Sequence, residues 1–139
     1  MILTIVLITL VIDNSNSIEN KILFKVNNEI ITSLDILDEL KYLQTINKEF
    51  ETIKKEEAFQ ISKNSLIREK IKEIEIKKIV REIKFKDKIL DNLILKYFKE
   101  LKITSIPEFE KFFLSKDIDP NKIRKKITIE VLWNELVYN

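Results

Sequence analysis

The residues of this 139-residue chain best suited by type and spacing to acid–base chemistry are paired carboxylates, Asp35 with Asp38 and Glu56 with Glu57. Two carboxyls held a few ångströms apart can act as acid and base, as in glycoside cleavage. Charged residues make up 35% of the chain, however, so such pairs also arise on any solvated helix, and exposed helix charge is the expectation for both. Other catalytic chemistries lose their usual residues outright. With no histidine and no cysteine, the commonest general base, the thiolate nucleophile and the usual nitrogen and sulfur ligands of zinc are missing. With no glycine, neither of the glycine-rich phosphate-binding loops can be built. No catalytic residue, cofactor or metal site is therefore assigned.

A second set of residues suits binding. Phe109, Phe112, Phe113, Trp133 and Tyr138, with Tyr42 and Tyr97 behind them, offer ring surface to which an extended polypeptide can adhere. Aromatic residues at helical spacing also fill cores, and both roles are open at this level.

The elements that must position these residues follow from local pattern. Ile22, Phe24 and Val26 alternate with Leu23 and Lys25, and Asn27-Asn28 offers a turn before Ile30-Ile31, which predicts a small hairpin or extended arm. Thr32-Ser33-Leu34-Asp35 has the form of a helix start, and Ile36, Leu37, Leu40 and Leu43 extend it over about 33–47. A long helix is predicted over 58–84, with one apolar stripe of Leu66, Ile67, Ile71 and Ile74 and a second of Ile76, Ile79, Val80 and Ile83. Asp87 starts a third helix bearing Ile89, Leu90, Leu93, Ile94, Tyr97, Phe98 and Leu101. Ser105-Ile106-Pro107-Glu108 and Asp119-Pro120 start a fourth and a fifth. The fifth becomes apolar on nearly every face towards Tyr138. The fold class is all-α: five helices after a short β-arm.

Charge is balanced, 25 Lys and Arg against 23 Asp and Glu, and the signs alternate along the chain. That is the pattern of a solvated helical surface rather than the one-sided basic face of a nucleic-acid binder, so no nucleic-acid partner is expected. Residues 2–12 form an uncharged apolar run, too short at about 1.5 Å per residue to cross a membrane of about 30 Å. Followed by Asn14-Ser15-Asn16-Ser17, the run reads as the core of a signal peptide over 1–17, which predicts export, although no lysine or arginine precedes it. A buried N-terminal strand or helix is the competing reading.

The segment from Val26 to Asp35 resembles the opening of the N-terminal domain of the SurA family, periplasmic chaperones and parvulin-type peptidyl-prolyl isomerases: an apolar strand, a V-N-[ND] turn, then a capped helix. Leu66-Ile67-Arg68-Glu69-Lys70-Ile71 is similar to the family's long helix, and the stretch from Ser105 to Leu136, with Ile123-Arg124 and Ile127, to its short helix, turn and final helix. Asp117 stands where the family commonly has a turn glycine. The resemblance covers about 22–139, giving a signal peptide over 1–17 and one helical chaperone domain over 18–139. It implies a periplasmic domain that holds unfolded outer-membrane proteins, with Phe109, Phe112, Phe113, Trp133 and Tyr138 at the polypeptide. The chain ends where the family enters its parvulin domain, whose active site uses histidines, so isomerase activity is not expected. The alternative is a helical interaction module, or the N-terminal part of an isomerase without its catalytic domain. In the family a distant C-terminal segment completes the N-terminal domain. An open apolar groove is therefore expected here, filled by a client, a second copy in a homo-oligomer, or a separate completing chain.

Overall fold

The computed structural model describes residues 20–138. The signal-peptide reading of 1–17 lies outside the described residues. Strands β1 (Ile22–Val26) and β2 (Glu29–Thr32) form an antiparallel hairpin, followed by α1 (Ser33–Ile46), a 3₁₀ turn (Lys48–Thr52), α2 (Lys55–Ile79), α3 (Asp87–Tyr97), a second 3₁₀ turn (Lys99–Leu101), α4 (Ile106–Leu114) and α5 (Pro120–Tyr138). The all-α class with a β-arm holds, and no helix among the described residues is long and apolar enough to cross a membrane.

Local chemistry sets most boundaries. Val26 pairs with Glu29, leaving Asn27-Asn28 as the loop, and Asn27 takes the left-handed region at φ 54°. Phe24 and Val26 then face inward with Ile31, packing on Phe59, Leu66 and Ile67. At α1, the Thr32 hydroxyl accepts from the Asp35 backbone N–H while Asp35 Oδ2 accepts from the Thr32 N–H at 2.8 Å, a complete capping box. At α4, Ser105 Oγ accepts from the Glu108 N–H, but the Glu108 carboxylate reaches one residue further back, to the Thr104 N–H at 2.9 Å. Asp119 Oδ1 accepts from the Asn121 N–H at 2.9 Å and starts α5 at Pro120.

The turn between α4 and α5 does without glycine. The Ile118 N–H donates to the Phe113 carbonyl and the Asp117 N–H to the Leu114 carbonyl, both at 3.0 Å, with Asp117 at φ 49°. These are the two bonds of a Schellman ending, and the accompanying apolar contact is Ile118 against Phe113 in the core. Lys102 ends the second 3₁₀ turn the same way at φ 60°.

The long helix differs from expectation at both ends. It starts three residues earlier, where Glu56 and Glu57 favour the positive helix end, and stops at Ile79. Beyond it Ile83 and Phe85 are half-buried and alternate with exposed Lys84 and Lys86, and Phe85 packs on the core. That two-residue period belongs to an extended segment, which draws the chain out of the helix.

The main core lies among α3, α4 and α5 and joins Leu90, Ile94, Phe98, Ile103, Phe109, Phe113, Ile118, Ile123 and Ile127. The smaller cluster under the hairpin holds Ile31, Ile36 and Leu66. Between the two, α2 packs against α1 and α5 along a face that is partly polar. Its buried residues are Ala58, Ser62, Leu66, Glu73 and Ile76, whereas Ile71 and Ile79, both placed on apolar stripes by the sequence, are exposed.

Candidate functional site

An open groove of about 620 Å³ runs between α3 and α5. Helical spacing builds each wall: Leu93, Lys96 and Tyr97 lie on one stripe of α3, and Val131, Asn134, Glu135 and Tyr138 on one stripe of α5. Leu93 and Val131 pack on the main core and form an apolar floor. Tyr97 and Tyr138 stand over it, 52% and 84% exposed. Two rings and an aliphatic floor, with one cation and one anion among the walls, can hold apolar side chains of a polypeptide without fixing a register.

The chain matches no protein-family model, no curated protein and no solved structure.

The five residues expected at a polypeptide separate in the structure. Tyr138 lines the groove. Trp133 is half-buried and lies about 200° around α5 from Val131, away from the groove wall. Phe112 is half-buried and meets Phe113 edge-on at 5.2 Å between ring centroids. Phe109 and Phe113 are fully buried, so the expectation of polypeptide contact gives way to packing at these two positions. Their centroids lie 5.1 Å apart, and each lies within 5.6 Å of Phe98, so the three rings form the centre of the core. Sequence reasoning missed Leu93, Lys96, Val131, Asn134 and Glu135 as groove residues. The signal available was the i, i+4 coincidence of Leu93 with Tyr97 and the i, i+7 coincidence of Val131 with Tyr138.

A second, more enclosed depression of about 350 Å³ lies among α1, α2, the α4–α5 turn and the start of α5. Charged groups dominate it, and they are paired. Lys122 donates to Asp38 at 2.6 Å and Lys41 to Asp117 at 3.3 Å. Asp35, meanwhile, is committed to the cap of α1. The carboxylate pair Asp35 and Asp38 therefore does structural work, and Glu56 and Glu57 are exposed in the first turn of α2. Among the described residues no group of three or more acidic side chains is arranged to hold a metal ion.

The carboxylates that are buried are others, Glu39 and Glu73, each 2% exposed. Glu39 accepts from Ser65 Oγ at 2.7 Å and pairs with Lys126 at 2.6 Å; Lys126 also pairs with Glu69 and lies over the Tyr42 ring at 5.3 Å. Glu73 is held by Lys125 at 2.7 Å, Lys77 at 3.0 Å and Lys70 at 3.4 Å. Burial pushes the Glu73 carboxyl up, but the hydrogen bonds from Lys125 and Lys77 and the charge of Lys70 outweigh it and hold it at about 2. Burial pushes the Lys126 ammonium down, and Glu69 and Glu39 more than reverse this. For Tyr42, burial and then the charge of Glu39 raise the phenol above its ordinary value. A solvated surface was the expectation for these alternating charges; part of them instead forms the interior seam joining α1, α2 and α5. Nothing in the seam is left to act on a substrate, because every buried side-chain polar atom has a partner.

Proposed function

We propose that the domain is a chaperone-like binder of unfolded or extended polypeptides, acting in the periplasm, and that the groove between α3 and α5 receives them. The observation that carries this reading is the placement of Tyr97 and Tyr138, more than half exposed, above a floor of Leu93 and Val131. Aromatic rings that remain in water on a stable bundle are suited to holding apolar side chains of varied sequence, and the mixed charge elsewhere keeps the binder soluble. The sequence resemblance to the SurA N-terminal domain supports the same reading and names unfolded outer-membrane proteins as the clients. The charged seam supports it differently: its groups are spent on holding the helices, which leaves binding rather than catalysis to the surface.

The test is suppression of aggregation of an urea-unfolded outer-membrane protein diluted into buffer with the domain. The wild-type chain delays aggregation, and the Tyr97→Ala/Tyr138→Ala variant, folded by circular dichroism, delays it much less. Equal delay by both proteins, or none by either, sinks the reading.

A further inference from the structure

We propose that a second copy of this chain docks on the α3/α5 groove, forming a two-fold dimer that a polypeptide client must displace. The regulation by displacement rests on the reading of the groove as a polypeptide site; the dimer does not.

The groove is self-complementary in charge. Of its seven lining residues two are charged, Lys96 on the α3 wall and Glu135 on the α5 wall. A two-fold axis places the same patch on both partners, so that residue i of one meets residue j of the other and the reverse. With the axis across the groove, Lys96 faces Glu135 of the partner subunit, and the pair forms twice. A groove lined by one sign would repel its own copy; this one attracts it. Lys96 makes no ion pair among the described residues, so its ammonium is available to the partner.

Apolar surface extends the patch along both helices. Ile89, 44% exposed, continues the Leu93 and Tyr97 stripe one turn back along α3. Val137, 55% exposed, lies beside Tyr138 near the end of α5. In a two-fold dimer these tyrosines enter the partner's groove, an apolar centre flanked by two charge pairs, which is the anatomy of a specific interface. Helix against groove is also a recurring mode of recognition for apolar helix faces.

The experiment is sedimentation velocity on the full chain from low to high micromolar concentration, with charge-reversed variants. The wild-type chain passes from monomer to dimer. Lys96→Glu and Glu135→Lys each bring like charges together twice and weaken dimerisation by more than about tenfold. Mixing the two variants in equal amounts restores a dimer containing one of each, because Glu at 96 then meets Lys at 135 across the interface while remaining mismatched within each chain. A monomer at every concentration, variants that dimerise like wild type, or a mixture that stays monomeric overturns the proposal. Addition of a fluorescent unfolded polypeptide separates the two readings: release of monomers as it binds supports displacement. A dimer with no polypeptide binding to it or to the monomeric variants keeps the interface and sinks the chaperone reading.

Discussion

Lys126 Nζ lies 2.6 Å from Glu39 Oε2, an ion pair between the last helix and the first in which Glu39 is almost fully buried. The pair spans 87 positions of sequence and is supported by Ser65 from α2 and by the Tyr42 ring. Three helices therefore meet at one carboxylate. A buried pair of this kind is costly to halve and cheap to replace whole, since removing one partner strands the other charge away from water.

Lys126→Met is accordingly expected to lower unfolding stability by about 3 kcal/mol, because Glu39 and Glu69 lose their shared cation. Glu39→Leu added to Lys126→Met is expected to recover most of that loss. Urea denaturation of the two variants and the wild type measures both values; a double variant no better than the single one refutes the stranded-charge account.

The lysine cage of Glu73 predicts an acid limit. Its folded value, about 2, lies below the ordinary 4.5, so its contribution is complete above pH 4.5 and is lost as pH falls towards 2. Glu73→Gln is expected to remove about 2 kcal/mol at neutral pH and to flatten the stability profile across that interval. Thermal melts at a series of pH values compare the slopes; parallel profiles contradict the cage.

Lys102 at φ 60° occupies a conformation that favours glycine. Lys102→Gly is expected to raise stability by about 0.5–1 kcal/mol, relief of the side-chain clash exceeding the entropy that glycine loses on folding. A rise in the urea midpoint with an unchanged slope is the supporting result, and a fall contradicts it.

Phe113 and Tyr138 belong to one residue class and are expected to respond in opposite assays. Phe113→Ala leaves a void at the centre of the ring cluster and is expected to cost about 3–5 kcal/mol. Tyr138→Ala, on an 84% exposed side chain, is expected to change stability by less than about 0.5 kcal/mol while weakening polypeptide binding about tenfold. Calorimetry and fluorescence anisotropy read the two effects separately.

What was legible in the sequence was local. The Asn27-Asn28 turn, the Thr32–Asp35 box and the Asp119-Pro120 start each depend on residues within four positions, and each appears where its chemistry predicts. The buried face of α2 was not legible, because Glu73 is admitted to the interior by Lys125 of α5, 52 positions away. Apolar periodicity consequently selected Ile71 and Ile79, which face water, over Ser62 and Glu73, which do not. The end of α2 was missed for a related reason: Phe85 finds its place only once α3, α4 and α5 have formed the core. Among the aromatic residues, spacing gave Phe109, Phe113 and Tyr138 equal standing. Only packing against Phe98 tells the first two from the third.

The two ends of α5 differ in what restrains them. Ile123, Ile127 and Ile129 are sunk in the protein and the lysines beside them are tied to α1 and α2, whereas no residue from 131 to 138 is fully buried. Opening free energy should therefore fall along the helix, with late amides exchanging hydrogen far sooner than early ones. One wall of the groove is thus a lever fixed at its base, able to swing and admit guests of different girth while the bundle beneath stays folded.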